Sequence, residues 1–399
     1  MVRELIVKDF FYFFYRSTGK TGCKLCAGAP DECWDFLSDY DKKYAKMRKR
    51  TMTPMLMPFA GNLITTGMGI LPHKEMERAL SVAMSVDIPF WPQLPKMDYF
   101  EDMYVQASEN FPGIVLEPEN RKIHFSTEKF YAELENALMN LENEDFFRMS
   151  PRFSATYRRF LSYDLSPYTS IRGQLEGPVS FGLNVLDENR KPIIYNDEVR
   201  SILFDFMARK ANCQLRELKE KNSNSFLFID EPGLQSIFSA ISGYTADMAR
   251  VDLGGFLAQI EHPRGIHLCG NPDWDFLLHL DIDILSFNAY NCGEIFVKYR
   301  EGINGFLNKG GMFGWGIVPA NYDEFIIESA DGLIHRIETL WRELEKAGFD
   351  LPRILSQSIL MPATCALMNP DGFDTVETAY ESLKKISRLL QTKYLQSSS

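Results

Sequence analysis

The chain has 399 residues, 45% apolar and 24% charged, with 43 Lys and Arg against 54 Asp and Glu for a formal charge of −11. This is the composition of a globular protein with a sizeable core and not of a small cysteine-stapled module. The acidic balance, with no basic run longer than "KMRKR" at 46–50, argues against a nucleic-acid partner, which needs a concentrated positive face to displace counterions.

Residues 1–58 fit no strand–helix unit and read as an N-terminal extension. Its aromatic "FFYFFY" at 10–15 is far shorter than the roughly 18 apolar residues of a membrane span, and no stretch elsewhere reaches that length, so no membrane partner is expected. Cys23 and Cys26 have CxxC spacing and Cys33 follows. No histidine or fourth cysteine lies nearby to complete a structural zinc site, so shielded thiols are expected there. Seven cysteines without a recognisable secretion signal place the expected location in a reducing cytoplasm.

From residue 59 onward, apolar or β-branched runs bounded by turn residues give eight strand candidates. They are "FAGNLITTGMG", "VDIPFWPQL", "YTSIRGQLEGP", "SFLFIDEP", "RGIHLCG", "DIDILSFNAY", "KGGMFGWGIVP" and "RILSQSILMPATC". Helical patterns such as "KEMERALSVAMS", "DEVRSILFDFMARKANCQLRELKEK", "FIIESADGLIHRIETLWRELEKAG" and "VETAYESLKKISRLLQTKYL" lie between or after them, with apolar residues every three or four positions. Eight strands alternating with helices predict an α/β fold, a (β/α)8 TIM barrel over residues 59–395. The interval from about 97 to 165 exceeds one helix and is expected to be a helical insertion after the second strand. The glycine-rich "GGMFGWG" at 310–316 lacks the lysine and following helix of a phosphate loop and reads as a closely packed seventh strand.

In such a barrel the loops after the strands form one rim, so reactive side chains belong late in their strands. Asp230 and Glu231 end the fourth candidate, His267 and Cys269 the fifth, Asn288 the sixth and Cys365 the eighth. Residues two apart share one side of a strand, so His267 and Cys269 can reach one ion. Cys365, brought round by the last strand, makes a third ligand, and two thiolates with one imidazole suit Zn²⁺. Singly, each has an ordinary structural explanation, since cysteines are often buried as small apolar residues and a lone histidine is usually a hydrogen-bonded core residue. Together they favour a metal. The adjacent acids Asp230 and Glu231 fit an ammonium-binding pair, a general base, or a helix N-cap before Pro232.

"TTGMGILPHKE", "LEGPVSFGL", "FIDEPGL", "IHLCG" with "LDIDILSFN", and "PATCAL" follow one another in the order found in the catalytic domain of cobalamin-independent methionine synthase. The chain resembles that family, within the uroporphyrinogen decarboxylase and methionine synthase barrel superfamily, over about residues 59–390. The resemblance implies zinc held by His267, Cys269 and Cys365. Where the family has its glutamate ligand this chain has Asn288, with Asn291, Cys292 and Glu294 close behind, so the fourth ligand would come from these or from substrate. It also implies that Asp230 holds the amino group of homocysteine. The family's duplicated N-terminal half, which helps hold methylfolate, has no counterpart in a chain with one barrel's worth of residues, so the donor is expected to be a methylfolate or a methylated corrinoid protein. Trp91, Phe287 and Trp315 are candidates to line the donor side, with Asn288 and Trp315 expected to touch substrate, although all three aromatics fit core packing as well.

The expected function is a zinc-dependent methyltransferase acting on a thiol, homocysteine first. A coenzyme M type methyltransferase, whose "HICG"-like motif "IHLCG" also resembles, is the alternative enzyme. A barrel that kept the metal and lost the reaction is the non-catalytic alternative, and the missing glutamate supports it. Porphyrin decarboxylation fits less well, because it uses an arginine-lined cleft without metal.

Overall fold

The structure, a computed structural model, describes residues 57–237 and 243–396. Most of the expected N-terminal extension, including Cys23, Cys26 and Cys33, lies outside the described residues. The strands are β1 Ile114–Glu117, β2 Lys122–Phe125, β3 Arg172–Glu176, β4 Phe226–Asp230, β5 Arg264–Leu268, β6 Ile284–Phe287, β7 Met312–Val318 and β8 Ser358–Pro362. β3 to β8 form one six-stranded parallel sheet in chain order. Helices lie between its strands, the connections a parallel sheet requires.

Six of the eight expected strands are present. The first two candidates form only isolated bridges, Thr65 with Leu360, Ile70 with Gln93, and Phe90 with Arg172. The reason is local. Asn62 and Leu63 have positive φ of 44° and 63°, which breaks an extended run, and Pro89 and Pro92 carry no N–H to donate. Single backbone bonds nevertheless bring these segments to the sheet's two edges: Thr66 N donates to Leu360 O at 3.1 Å, Ile88 N to Thr65 O at 2.9 Å, and Arg172 N to Pro89 O at 2.9 Å. The interval expected to be a helical insertion is mostly helical but also holds β1 and β2, an antiparallel hairpin. Its turn passes through Arg121 at φ 50°.

Strand alternation sorts side chains onto two faces. Leu227, Ile229, Ile266, Leu268, Leu285, Phe287, Phe313, Trp315 and Leu360 join the large core beneath the helices, whereas Phe226, Phe228, Ile284, Met312, Ile359 and Met361 form a separate inner cluster that Cys365 touches. The helix Ala330–Lys346 shows why the outer layer forms. Ser329 caps it by accepting from Gly332 N, and Leu333, Ile337, Leu340, Trp341 and Leu344 make one buried stripe. Burying each such side chain contributes roughly 1.5–3 kcal/mol.

Candidate metal centre

The register carries the inner face upward to the strand ends in rows. Glu176 pairs with Asp230, Asp230 with His267, and His267 with Ser286. Neighbouring strands are about 4.8 Å apart, so these four side chains stand side by side on one face.

His267 is 8% exposed. Its Nδ1 lies 2.9 Å from Ser286 Oγ and its Nε2 lies 3.2 Å from Cys269 Sγ. Ser286 directs its own hydrogen to Met361 Sδ at 3.1 Å, so Nδ1–H donates to Ser286, which fixes the ring with Nε2 facing Cys269. The Cys365 thiol hydrogen-bonds to Cys269 and is the main influence holding the Cys269 thiol well below its ordinary value; burial opposes this, while His267 and Thr364 assist. Cys365 is correspondingly pushed well above its ordinary value, first by that same contact and then by burial. For His267, burial acts downward, but the Cys269 thiolate and Asp230 outweigh it and the net shift is upward. The result is a Cys269 thiolate in contact with the Cys365 thiol on one side and the His267 ring on the other.

Those three residues are the ligands expected from the sequence, and the structure brings them together. Among the described residues, no group of three or more His, Cys, Asp or Glu side chains is placed so that it could hold a metal ion. Two ligands bound to zinc at about 2.0–2.1 and 2.3 Å with tetrahedral angles stand about 3.6 Å apart. The 3.2 Å between His267 and Cys269 is a few tenths of an ångström short of that separation.

Asp230 is partly accessible, and its carboxylate finds no hydrogen-bond partner among the described residues. Burial pushes its carboxyl up to about 6, although His267 and Arg172 pull the other way. Glu231 differs sharply. It is 0% exposed, and its carboxylate accepts from Val179 N at 3.0 Å, Ser180 N at 2.8 Å and Ser180 Oγ at 2.6 Å. It caps the helix Pro178–Asn184, not the turn at Pro232 that follows it, and burial raises its carboxyl to about 7. Gly177 makes this possible, since a Cβ there would meet Glu231 Cδ at 2.2 Å. The structure therefore gives Glu231 a bracing task in place of the free acid or base expected of it.

Asn288 is the N-cap of the helix Ala289–Phe296, accepting from Asn291 N at 3.0 Å. Its Oδ1 is thus engaged, while its Nδ2 has no partner among the described residues. Of the alternatives for a fourth ligand, Glu294 is exposed and Asn291 reaches Glu324 at 3.2 Å, whereas Cys292 is buried close enough to feel the Cys269 charge. Trp315 is a correction to the sequence reading. It is 0% exposed, donates Nε1–H to Ser358 Oγ at 2.8 Å, and packs on Phe287 and Phe313 in the helix-facing layer. Phe287 and Trp91 are likewise fully buried, so the three aromatics pack the core and do not line a donor side.

Sequence reasoning missed Ser286, Thr364 and Glu176. The signal for two of them was alternation, because "RGQLE" places Arg172, Gln174 and Glu176 on one face and "ILSF" sets Ser286 beside the His267 row. Two cavities lie elsewhere, one of about 420 Å³ lined by Glu109, Phe111 and Lys129 and one of about 450 Å³ lined by Arg78 and Glu381. Neither contains a candidate residue.

No family model matches the chain, and no curated protein does. Among solved structures, a methyltransferase from Methanosarcina mazei aligns over 84% of this chain and 94% of that chain, with 12% sequence identity and a TM-score of 0.46. A likeness this remote says nothing about the reaction.

Proposed function

We propose that this chain is a zinc-dependent methyltransferase on a (β/α)8 barrel, which passes a methyl group to a thiol, homocysteine first, with a methylfolate or a methylated corrinoid protein as donor. The observation that carries this reading is the contact of His267 Nε2 with Cys269 Sγ at 3.2 Å, with Cys365 against the same sulfur and Asp230 next in the row. His267, Cys269 and Cys365 would hold the ion. Bound zinc supplies Lewis acidity that keeps a substrate thiol deprotonated near neutral pH.

The chain's own residues do the rest. Ser286 fixes the His267 ring so that Nε2 faces the sulfurs. Asp230, accessible and unpartnered, accepts from the substrate's ammonium group and sets the thiol end toward the ligands. Glu231 holds the start of the helix Pro178–Asn184 beside β4. A metal-binding barrel without the reaction is the second reading, favoured by one observation: Asn288 stands in the place of a ligand glutamate and spends its Oδ1 on a helix cap.

Calorimetry with the zinc-loaded protein separates the two. Asp230→Asn should weaken homocysteine binding by about 1–3 kcal/mol, the value of a hydrogen bond to a charged group, with zinc content unchanged. Equal binding by both proteins would remove the ammonium anchor and leave the second reading.

A further inference from the structure

The cavity of about 420 Å³ belongs to the insertion. Its lining comes from the end of the helix Met103–Ser108, from β1 and from the helix Thr127–Met139. Its volume falls within the roughly 300–1,000 Å³ of small-molecule sites. Phe111, Ile114, Leu116 and Phe146 supply apolar wall, and among the lining residues only Glu109, Glu133 and Lys129 carry charge. Two of these charges are answered at the wall itself. Lys129 Nζ donates to Ile114 O at 2.6 Å and lies 3.6 Å from Glu133, which accepts from Gly113 N at 3.0 Å.

Glu109 is different. It is only 6% exposed and still lines the cavity. Its Oε2 accepts from Ser150 N at 3.0 Å and faces the buried Lys210 ammonium at 3.8 Å, the loose end of an ion-pair distance. Its Oε1 has no partner among the described residues and is not sealed inside protein, so this oxygen is the one that reaches the cavity. A carboxylate oxygen presented to a largely apolar space calls for a donor. The surroundings favour a charged one, because two acids line the cavity against one lysine and the chain as a whole carries −11, which attracts positive ligands. Lys210 does not line the cavity and meets Glu109 through the other oxygen.

We propose that this cavity is a second ligand site, which binds a small organic cation: a primary ammonium group on an apolar or aromatic body. The N–H groups donate to Glu109 Oε1, and the body packs against Phe111, Ile114, Leu116 and Phe146. No residue of the candidate metal centre lines the cavity, so the site stands apart from the methyltransferase reading.

Calorimetry on the full chain tests this with three probes of one shape: 2-phenylethylammonium, the neutral 2-phenylethanol and the anionic phenylacetate. The ammonium should bind at one equivalent and at least about tenfold tighter than the alcohol, with phenylacetate weakest. Glu109→Gln should lose about tenfold or more for the ammonium and less than about twofold for the alcohol. Because Glu109 also answers Lys210, a second variant covers the case in which that protein does not fold. Asn136→Lys, at an exposed lining position on the helix Thr127–Met139, adds a cation to the wall and should weaken ammonium binding severalfold, less so at high salt. Asp230→Asn should bind the ammonium as wild type does. No binding of the ammonium, or binding of the alcohol or phenylacetate as tight as its own, would overturn the proposal. So would wild-type affinity in Asn136→Lys or in folded Glu109→Gln, and a loss in Asp230→Asn would overturn it by placing the cation at the metal centre instead.

Discussion

The two ends of the parallel sheet treat the same kinds of residue in opposite ways. Where the strands begin, three acids among the described residues are answered. Asp283 accepts from Arg264 N at 2.8 Å and contacts His262 Nδ1 at 2.7 Å, Asp281 holds the Arg264 guanidinium at 2.7 Å, and Asp87 accepts from Thr65 N and Oγ1 at 2.8 and 2.7 Å. Where the strands end, Asp230 has no hydrogen-bond partner among the described residues, Glu176 has only the Tyr104 hydroxyl near it, and His267 and Cys269 lean on each other. The lower end is built for stability, and the upper end gives stability up. Polar groups left unsatisfied in a buried row mark the place where something other than the protein completes the bonding.

Breaking this contrast should have its largest effect on metal affinity. Cys269→Ser and Cys365→Ser should each reduce zinc affinity by more than the roughly 10–100-fold that loss of an outer partner costs, while the metal-free proteins melt close to wild type. A competition titration with a chelating dye reads this directly, and two variants that still hold the metal tightly would move the site elsewhere. Trp315→Ala should do the reverse, costing about 3–5 kcal/mol of stability, the usual range for an aromatic removed from a packed core, with the remaining folded protein still able to take up zinc. Urea unfolding followed by far-UV circular dichroism measures that loss.

The acids sharpen the comparison further. Asp283→Asn, at the lower end, should cost about 1–3 kcal/mol because it weakens two partly buried hydrogen bonds, whereas Asp230→Asn at the upper end should cost nothing measurable in the metal-free protein. Equal losses from both would erase the distinction between the ends. The smallest effect concerns pH. The folded state raises the Glu176 carboxyl above its ordinary value of 4.5, so the folded protein binds the extra proton. That gives no penalty below pH 4.5 and a growing penalty as pH rises above it. Glu176→Gln should therefore match wild-type stability in acid and exceed it progressively toward neutrality, and parallel stability curves would contradict this.

Much of this architecture is legible in the sequence because strand alternation and helical periodicity are local. The helix Asp197–Lys221 coincides with its predicted pattern, and six strands fall inside their predicted runs. The last of them is shorter than its run, since the helix Leu351–Ser356 takes the first part of "RILSQSILMPATC". Other features were hidden for identifiable reasons. The hairpin of β1 and β2 rests on two four-residue strands, too short to stand out beside the helices around them. Trp315 was misplaced because alternation tells which residues of β7 share a face but not which face meets the helices. Glu231 looked like a free acid because its partners, Val179 and Ser180, lie far back in the sequence and no local signal links them. The ligand trio was found because its spacing, His-x-Cys at one strand end and a cysteine at another, survives without knowledge of the packing.

Zinc K-edge X-ray absorption on the protein loaded with one equivalent of zinc tests the central claim most directly, because it counts sulfur neighbours. Two sulfurs at about 2.3 Å and at least one nitrogen at about 2.0–2.1 Å are expected, with one sulfur lost in Cys269→Ser or Cys365→Ser. A shell of oxygen and nitrogen alone, or two sulfurs that persist in both variants, would contradict it.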